Sequence, residues 1–409
     1  MKYDLIVIGG GPSGMMAAGT AASRGKKVLL LEKNKNLGEK LLISGGGRCN
    51  LTNAEESEDL LLLNYGKAKG FLYSSFNQFG MRDTFNFFEK MDLPLVVQAR
   101  KRAFPKSEKS TDVFKALEKY MKKGGVEVKS QAIVEAIIGS DKKISHVLLG
   151  GSKITADSYI LATGGKSHPE TGSTGDGFKW LSKLGHTVKD STPTIVPWAV
   201  KEAWVKSLSG VSLSAMKLTL FVDGKSAIKK KGKILFTHFG FSGPMILNLA
   251  AKVHDLLQEG EVTVEIDAYP DTDLGTLDKR VTKVFNANKN KLLNNIFSEL
   301  APDGLTNALL SLLTFDSEIK VHSVTKEQRK EIVNLLKAMP ATITGLMGTD
   351  RAVITDGGIS IKEVDGKTMR SRLYNNLYVT GDLLHISRPS GGYSLQLCWT
   401  TGFVAGSHA

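Results

Sequence analysis

Residues 3–14 read YDLIVIGGGPSG, and this stretch decides the fold. Six mostly apolar residues from Tyr3 to Ile8 predict a buried strand, and the glycine spacing G-x-G-x-x-G follows it at once. In such a turn Gly9 allows the chain to reverse tightly, Gly11 lets the backbone approach a pyrophosphate, and Gly14 lets the next helix pack closely on the strand. The stretch therefore predicts the phosphate-binding turn of a dinucleotide-binding βαβ unit.

The residues after this turn complete the unit. A small-residue helix is expected from Met15 to Arg24 and a second apolar strand from Lys27 to Leu31, which gives a unit of about 30 residues. Pro12 and Ser13 precede this helix, and the free N–H groups at its start, of which proline has none, face the phosphates. Glu32 follows the second strand, where a carboxylate accepts ribose hydroxyl groups. A purely structural glycine turn is the alternative, and the unit alone does not distinguish NAD from FAD.

The length and composition of the chain limit the class of protein to which it can belong. Its 409 residues exceed one ordinary hydrophobic core and predict two or three domains. With 41% hydrophobic and 23% charged residues, the composition is that of a globular protein. No apolar run approaches the roughly 18 residues of a membrane-spanning helix, and a strand is expected from the third residue, which leaves no room for a signal peptide. We therefore expect a cytoplasmic protein without a membrane span.

The two cysteines, Cys49 and Cys398, lie in unrelated sequence contexts, and no C-x-x-C occurs. This pattern indicates neither a disulfide framework nor a dithiol redox centre. No histidines accompany the thiols at zinc-ligand spacing, so no metal site is expected. A redox thiol beside a cofactor is one hypothesis for Cys49, and a packed apolar role is the favoured one.

Lysine and arginine outnumber aspartate and glutamate by 54 to 41, which gives a net charge of +13. A basic surface attracts nucleic acid, anionic membranes or a phosphorylated cofactor. The lysines are mostly dispersed, however, and the densest run, Lys229 to Lys233, contains no aromatic residues. We interpret that run as a solvated hairpin turn and expect no nucleic-acid partner.

A second glycine-rich stretch runs from Ser44 to Asn50 and reads SGGGRCN. Successive glycines disfavour helix and strand, and they predict a loop lined by backbone amides. Gly46 and Gly47 are expected to offer amides to phosphate or flavin oxygens, and Arg48 adds a cation that balances their charge. A plain glycine hinge is the alternative.

Further strands end in residues that suit a cofactor. Ser158 to Gly165 reads SYILATGG, a buried strand with a glycine turn at its carboxyl end, where ligands of open α/β sheets bind. Ala352 to Gly358 is expected to form a strand and turn, and Leu377 to Asp382 reads LYVTGD, whose final acid suits a ribityl hydroxyl group. Gly391 to Gln396 opens the terminal helix, whose N-terminus suits the electron-rich edge of a reduced flavin ring.

The intervening segments differ in character. Residues 70–125 look helical, apart from a basic turn at Arg100 to Pro105. Residues 197–266 look β-rich, with a hairpin turn at Asp223-Gly224, and residues 275–338 look helical. This middle third carries no nucleotide fingerprint. It is therefore expected to be an insertion that covers the cofactor and supplies the substrate pocket.

Five blocks of sequence stand out together: Gly9 to Gly14 with Glu32, Ser44 to Asn53, Ala162 to Gly165, Thr237 to Pro244, and Gly391 to Gln396. In combination they resemble the signature blocks of the aminoacetone oxidase-like (BaiN/YhiN-like) FAD-binding flavoproteins. More distantly, the chain resembles the FAD domains of the fumarate reductase and glutathione reductase superfamily. The resemblance runs from the first strand to the final helix.

The resemblance implies an α/β fold, with a Rossmann-like FAD-binding domain and an inserted β-barrel-like plus helical domain. The FAD-binding domain is expected in two parts, residues 1–192 and 343–409. Residues 193–272 would form the β-rich substrate domain, and residues 273–342 the helical subdomain.

The resemblance also implies which residues hold a non-covalently bound FAD. The pyrophosphate would lie on the first glycine turn, Glu32 would hold the adenosine ribose, and Asp382 would hold the ribityl chain. The family usually has glutamate where Asp382 stands and asparagine where Ser394 stands, and Arg388-Pro389 is also unlike the family. The full expected set is Gly9, Gly11, Pro12, Ser13, Gly14, Glu32, Lys33, Lys40, Gly46, Gly47, Arg48, Asn50, Val134, Ala162, Thr163, Gly164, Gly381, Asp382, Gly391, Gly392, Tyr393, Ser394 and Leu395.

The sequence thus predicts an FAD-dependent oxidoreductase that transfers hydride between NAD(P)H, or an oxidisable small molecule, and an acceptor. Only one dinucleotide fingerprint is visible, so NAD(P)H is expected as a transient co-substrate at the flavin face. His238 is the candidate acid or base, with a structural role as the alternative. Three other hypotheses stay open: an FAD-dependent tRNA-modifying enzyme, a flavin-dependent amine oxidase that uses O₂, and a flavin-binding module without turnover. A serine hydrolase is disfavoured because no G-x-S-x-G follows a strand.

Overall fold

The computed structural model describes residues 2–194, 196–347 and 354–409. The strands are β1 (Tyr3–Ile8), β2 (Val28–Leu31), β3 (Thr52–Asn53), β4 (Leu95–Gln98), β5 (Arg102–Pro105), β6 (Glu127–Lys129), β7 (Val134–Ser140), β8 (Lys143–Leu149), β9 (Ser152–Ile154), β10 (Ala156–Leu161), β11 (Val188–Thr194), β12 (Trp198–Val200), β13 (Ser212–Val222), β14 (Lys225–Thr237), β15 (Gly240–Ser242), β16 (Val262–Asp267), β17 (Met339–Leu346), β18 (Ile354–Ile359) and β19 (Leu377–Val379). The α-helices are α1 (Pro12–Ser23), α2 (Glu39–Ile43), α3 (Glu58–Leu63), α4 (Lys69–Gln78), α5 (Met81–Lys90), α6 (Ser110–Gly124), α7 (Asp176–Lys183), α8 (Ala203–Ser207), α9 (Pro244–Glu259), α10 (Leu274–Ala287), α11 (Leu293–Ile296), α12 (Thr306–Ser311), α13 (Lys326–Lys337) and α14 (Tyr393–His408).

The chain divides into two compact units. The first contains residues 1–193 and 349–409, and the second contains residues 194–348. The segments that we expected as a β-rich part and a helical part lie together in the second unit. Strand β17 runs across the boundary placed at residue 342, because its residues pair with both β12 and β16 and so belong to the sheet of this unit.

A five-stranded parallel sheet forms the centre of the first unit, in the order β19-β10-β1-β2-β6. Strands β2 and β19 are buried throughout, and so is β1 apart from Asp4, as expected for a parallel sheet that is covered on both faces. Helices α1 and α14 approach each other closely, because a Cβ atom at Gly402 or Gly406 would overlap the carbonyl oxygen of Ser13 or Ala17. The first and last helices of the chain therefore share one core.

Smaller sheets complete the first unit. Strand β5 pairs with β3 and β4, so the segment predicted as a basic turn at Arg100 to Pro105 is mostly a strand. Its four residues are too short a run for the alternation of a strand to stand out in the sequence. Strands β7, β8 and β9 form an antiparallel sheet, and β11 pairs with β18. The strand expected from Ala352 begins at Ile354 in the described part, and residues 352 and 353 lie outside the described residues.

The second unit is built on a closed six-stranded barrel with the order β12-β15-β14-β13-β16-β17. The barrel core includes Trp198, Phe236 and Phe241, which are fully buried. The hairpin turn lies at Asp223-Gly224 as predicted, but the lysine run from Lys229 to Lys233 is not a turn, because it lies inside β14. In the described part of the chain, no helix is both long and apolar enough to cross a membrane.

Candidate cofactor-binding site

A cavity lies in the first unit where β1, β2 and β10 end, and its empty space, which includes open solvent at its mouth, is about 1270 Å³. Residues directly after these carboxyl ends line it, as in other open parallel sheets. The lining residues are Ile8, Gly9, Gly11, Pro12, Ser13, Leu31, Glu32, Lys33, Asn34, Gly38, Glu39, Lys40, Leu41, Ser44, Ala132, Ile133, Val134, Ala162, Thr163, Gly164, Thr171, Gly172, Ser173, Asp176, Trp180, Asp382, Ser394, Leu395 and Cys398.

The three glycines of the first turn are required for three different reasons. Gly9 has a φ of +106°, and a Cβ atom on it would press on the carbonyl group of Ala162. A Cβ atom on Gly14 would overlap the carbonyl oxygen of Gly9, so this glycine lets α1 pack on the strand. Gly11 has an ordinary extended backbone, and no protein atom lies within 4 Å of a Cβ built on it. The fold leaves the space beside Gly11 open to a ligand.

The N-terminus of α1 faces this space without a capping group. Gly11 is the N-cap, no side chain accepts a hydrogen bond from the first turn, and Pro12 occupies the first position. The first turn contains no acidic residue. Uncapped N–H groups at the positive end of a helix form an anion site, so the residues present fit the pyrophosphate of a dinucleotide.

The carboxylate of Glu32 is fixed at the end of β2. Its side chain is largely buried, and its Oε2 accepts a hydrogen bond of 2.7 Å from the Gly10 N–H. Its Oε1 accepts another of 2.8 Å from the Asn34 N–H. Because each carboxylate oxygen has two lone pairs, one on each remains available to ligand hydroxyl groups in the cavity.

The segment after β2 is tied to the loop between β10 and α7. Lys33 donates from Nζ to Thr174 Oγ1 at 2.6 Å and forms an ion pair of 2.9 Å with Asp176. Asn34 donates to the carbonyl oxygen of Thr171 at 2.9 Å. These contacts hold the loop at the cavity wall. Lys33, which was predicted to contact the cofactor, is thus engaged by side chains of this loop.

The opposite wall, between β19 and α14, contains a buried ionic network. Arg388 is 2% exposed in its side chain, and its Nη2 donates to Asp382 Oδ1. Its Nη1 donates to the carbonyl oxygen of Ile386 at 2.8 Å, and its Nε donates to Ser394 Oγ at 3.0 Å. Lys40 lies 3.8 Å from the other oxygen of Asp382 and also donates to Ser167. The residues that depart from the family pattern therefore contact one another.

This network sets the protonation of Asp382 and the orientation of Ser394. Burial opposes ionisation of Asp382, but the cations Arg388 and Lys40 outweigh it and lower the pKa of the carboxyl group. Ser394 Oγ accepts its hydrogen bond from Arg388 and makes no other within the described residues, so its own hydrogen can be donated to an acceptor in the cavity. The wall thus offers one ionised acceptor and one oriented donor.

Thr163 lines the cavity, but its hydroxyl oxygen lies against α7, where a Cβ atom on Gly177 would come within 2.3 Å of it. Its hydroxyl oxygen is buried and has no hydrogen-bond partner among the described residues, although the residue lines the cavity. A buried polar atom without a partner costs about 1–3 kcal/mol, so such atoms are usually satisfied in the functional state.

Several predicted contacts lie outside the cavity lining of the described residues. Arg48 is half-exposed, stacks on the Phe104 ring at 4.5 Å and lies 3.4 Å from Glu108. Gly392 has a φ of +106°, and a Cβ atom on it would overlap the carbonyl group of Thr52, which explains this glycine without a ligand. The other predicted residues outside the lining are Gly14, Gly46, Gly47, Asn50, Gly381, Gly391 and Tyr393.

His238 belongs to the second unit. It lies on the exposed two-residue turn between β14 and β15, and its ring packs edge-on against Phe239 at 4.9 Å. Its role as an acid or base stays a prediction.

The sequence did not identify several residues of the cavity. The loop residues Thr171, Gly172 and Ser173 line it, as does Cys398. The glycine-rich run that begins at Gly172 was the available signal for the loop. Burial raises the pKa of the Cys398 thiol to about 12, so this residue is a neutral packing group at the cavity wall.

Comparison with known proteins gives the family. The model of the HI0933-like protein Rossmann domain matches residues 3–408. The chain belongs to the HI0933-like family. This confirms the predicted resemblance and the α/β fold with a Rossmann-like domain and an inserted barrel, and it supports FAD as the cofactor of an oxidoreductase.

Two relatives of known activity match almost the whole chain. The 3-dehydro-bile acid delta(4,6)-reductase of Clostridium scindens is 31% identical over 410 residues, 98% of each protein. The ribosomal RNA dihydrouridine synthase of Escherichia coli is 25% identical over 403 residues, 98% of this chain and 97% of that protein. Among solved structures, the quinol fumarate reductase of Escherichia coli has the same fold, with a TM-score of 0.54 and 13% identity over 100% of this chain and 69% of that one.

Proposed function

We propose that the protein is a cytoplasmic FAD-dependent reductase that uses NADH or NADPH to saturate a carbon–carbon double bond conjugated to a carbonyl group. The two relatives that match almost the whole chain support this reaction. A delta(4,6)-reductase of a 3-dehydro bile acid reduces double bonds in conjugation with a ketone, and a dihydrouridine synthase reduces the double bond of uracil next to its carbonyl group. The two substrates differ in size and charge, but in both the bond that is reduced is a carbon–carbon double bond conjugated to a carbonyl group.

The observation that carries the proposal is the open space at Gly11 beside the uncapped N-terminus of α1. In this site α1 would hold the pyrophosphate, and Glu32 would accept the ribose hydroxyl groups. Asp382 would accept a ribityl hydroxyl group, and Ser394 would donate to an acceptor atom. Bound FAD would supply the hydride transfer between the reduced nicotinamide and the substrate.

Two further roles are the binding of the nicotinamide and the donation of a proton to the substrate. A single dinucleotide fingerprint supports a nicotinamide that binds transiently and leaves after it has delivered its hydride. Saturation of a conjugated double bond also needs a proton at the carbon next to the carbonyl group. His238 remains the candidate donor, because histidine transfers protons near neutral pH.

The test is an anaerobic titration of the purified protein. Addition of NADH or NADPH should bleach the visible flavin band, and the band should return when a 3-oxo-4,6-diene bile acid or a uridine-containing RNA is added. Mass spectrometry should find the product heavier by two hydrogens. Gly11→Val provides the control, because its side chain would fill the space beside α1 and leave the protein without FAD.

Other outcomes would overturn the proposal. If neither nicotinamide bleaches the flavin, the reductase assignment is wrong. If the flavin is reduced by an amine such as aminoacetone and is reoxidised only by O₂, the protein is an amine oxidase. If no compound reduces it, the site binds FAD without turnover.

A further inference from the structure

Arg48 and Arg102 lie on the same face of the small sheet formed by β3, β5 and β4. Arg102 of β5 pairs with Gln98 of β4, and residues directly opposite each other on antiparallel strands share a face. Nη1 of Arg48 lies 3.5 Å from Oε1 of Gln98, and its guanidinium group stacks on the Phe104 ring at 4.5 Å. Phe104 is two residues after Arg102 in the strand and so shares its face. Arg48 therefore covers the face that carries Arg102.

Arg100 completes a group of three arginines. It lies in the turn between β4 and β5 with a left-handed φ of +62°, which is uncommon for a residue with a side chain. Asn53 holds this turn, because its Nδ2 donates to the carbonyl oxygen of Arg100 at 3.2 Å. Burial lowers the pKa of Arg102, and the positive charges of Arg100 and Arg48 lower it further, so the three guanidinium groups repel one another. We call Arg48, Arg100 and Arg102 the arginine cluster.

Within the described residues, the arginine cluster has one carboxylate partner. Oε2 of Glu108 lies 3.4 Å from Nη1 of Arg48, in an exposed ion pair of the kind that contributes little. Across residues 2–194, 196–347 and 354–409, no acidic side chain lies within 4 Å of the guanidinium group of Arg100 or Arg102, and neither group makes a hydrogen bond. The arginine cluster therefore keeps an unbalanced positive charge.

The arginine cluster borders the cofactor cavity within the first unit. Ser44 lines the cavity, and the glycine loop that begins there leads directly to Arg48. Asn53 of β3, the strand that pairs with β5, donates from Nδ2 to the carbonyl oxygen of Gly391 at 3.0 Å. Gly391 is three residues before Ser394, which also lines the cavity. The segments on both sides of the cluster thus continue into the cavity wall.

The loop between Ser44 and Arg48 leaves space for a ligand. No protein atom lies within 4 Å of a Cβ atom built on Gly46 or Gly47. Both glycines have a left-handed φ, +68° and +82°, so a side chain would be strained at either position. The loop therefore exposes backbone, without side chains, next to the first arginine of the cluster.

A purely structural role accounts for only part of the cluster. Stacking on an aromatic ring and an exposed ion pair explain Arg48. Lys101, which lies in the same turn as Arg100, is bound by Glu55 at 2.8 Å, so this turn does neutralise one of its cations. Arg102 is partly buried and yet has no such partner within the described residues. A cation withdrawn from water without a partner costs free energy, so its position calls for an anion from outside the chain.

We propose that the arginine cluster binds the pyrophosphate of NADH or NADPH while the nicotinamide lies at the flavin. This inference rests on the proposed function and assigns the site of its co-substrate. The chain has one dinucleotide fingerprint, and the open space beside Gly11 in that fingerprint is assigned to the pyrophosphate of FAD. A second dinucleotide therefore needs a second anion site. Guanidinium groups suit it, because they bind phosphate oxygens through two parallel hydrogen bonds.

The test uses the FAD-loaded protein and ADP-ribose, which carries the pyrophosphate without the nicotinamide. Calorimetric titration compares the wild type with the double variant Arg100→Gln and Arg102→Gln. The dissociation constant should rise about tenfold or more in the double variant, because charge-assisted hydrogen bonds to phosphate are lost. Arg102→Lys keeps the charge but not the paired donors, and it should lose less.

A matched control separates the arginine cluster from net charge. The variant Arg24→Gln and Arg82→Gln removes two exposed arginines from the same unit, and it should bind ADP-ribose like the wild type. The single change Arg100→Gln alters an exposed side chain and should still raise the dissociation constant. This single variant keeps the test valid if a change at Arg102 lowers the stability of the protein.

Stopped-flow reduction of the flavin tests whether the same site serves the co-substrate. The double variant should raise the apparent dissociation constants of NADH and NADPH alike, because both contain the pyrophosphate. The limiting rate of flavin reduction should stay unchanged, since the cluster holds the co-substrate and does not take part in hydride transfer. Photoreduction of the flavin and its reoxidation by uncharged menadione should also be unchanged, which shows that the flavin itself is intact.

Three results would overturn the inference: equal affinity of the wild type and the double variant for ADP-ribose, an equal loss in the control variant, or a loss confined to NADPH. The last result would assign the cluster to the additional ribose phosphate of NADPH. If neither nicotinamide reduces the wild-type flavin while ADP-ribose binding depends on the cluster, the proposed function falls and the anion site stands. If both reduce the flavin equally well in the double variant, the proposed function stands and this inference falls.

Discussion

The two walls of the cofactor cavity are built in different ways. On the wall formed by β1, α1 and β2, backbone geometry does the positioning, through three glycines, a helix N-terminus and a carboxylate held by main-chain N–H groups. On the wall formed by β19 and α14, side chains do it, through an arginine that bridges Asp382 and Ser394. The first kind of wall is set by residue spacing, whereas the second depends on contacts that spacing does not reveal.

The largest expected effect tests the side-chain wall. Arg388→Met should lower the free energy of unfolding by about 3–5 kcal/mol, because it leaves the largely buried Asp382 carboxylate without its arginine partner. Urea denaturation followed by circular dichroism measures this. Arg388→Lys keeps a cation and should lose less. Equal stability of the wild type and Arg388→Met would show that the ion pair does not support this wall.

The same wall should show a defined pH dependence. The pKa of Asp382 is lowered in the folded protein, so its stabilising contribution is present above the unfolded value of about 3.9 and is lost as the pH falls through the folded value. The difference in unfolding free energy between the wild type and Asp382→Asn should therefore be constant near neutral pH and shrink below about pH 4. A difference that grows on acidification would contradict this.

The backbone wall is tested by a pair of glycine substitutions. Gly14→Ala should destabilise the protein by about 3 kcal/mol, at the upper end for over-packing, because the new Cβ atom would overlap a backbone oxygen. Gly11→Ala should leave the stability of the FAD-free protein unchanged, because its Cβ atom meets no protein atom, and yet reduce FAD retention. Thermal unfolding and FAD content together separate the two. If Gly11→Ala retained FAD fully, the space beside Gly11 would not be where the pyrophosphate lies.

A smaller effect is expected at the ribose end of that wall. Glu32→Gln should weaken FAD binding by about 1.5–3 kcal/mol, the range for hydrogen bonds to a charged group. FAD release during dialysis, followed by fluorescence, gives the affinity. Glu39→Gln is the matched control, since this carboxylate also lines the cavity but is not predicted to bind the ribose. Equal losses in both variants would place the adenosine elsewhere.

The smallest expected effect concerns the thiols. Cys49 and Cys398 are buried, and burial raises the pKa of each thiol to about 12. Because the thiolate is the reactive form, a thiol reagent at pH 8 should modify neither residue in the folded protein and both after denaturation. Rapid labelling of Cys49 in the native state would revive the hypothesis of a redox thiol.

The sequence predicted most of the backbone wall and little of the side-chain wall. The spacing of Gly9, Gly11 and Gly14 identified the turn because each glycine answers a local steric demand. Asp382 and Ser394 were named as site residues, but the arginine that joins them appeared only as an unfamiliar residue. The role of Arg388 depends on where its loop places the guanidinium group, and neither hydrophobic periodicity nor motif spacing in the sequence predicts that position.

In the second unit, too, local sequence predicted a turn, whereas the neighbours of a side chain across paired strands could not be predicted. The hairpin turn at Asp223-Gly224 was predicted because this pair has a strong turn preference. The lysine run was misread as a turn because lysine is uncommon in strands and the alternation of its faces is masked by Lys230. Only the register with β13 reveals that Lys217 lies opposite Lys231.

The close contact between α1 and α14 has a consequence for how the protein folds during its synthesis on the ribosome. The second unit is continuous in sequence and can fold once residue 348 has emerged, whereas the first unit lacks α14 until residue 408 has emerged. Gly402 and Gly406 cannot settle against Ser13 and Ala17 before then. The protein would therefore acquire its FAD only after α14 has emerged, and a chain truncated before α14 would remain colourless.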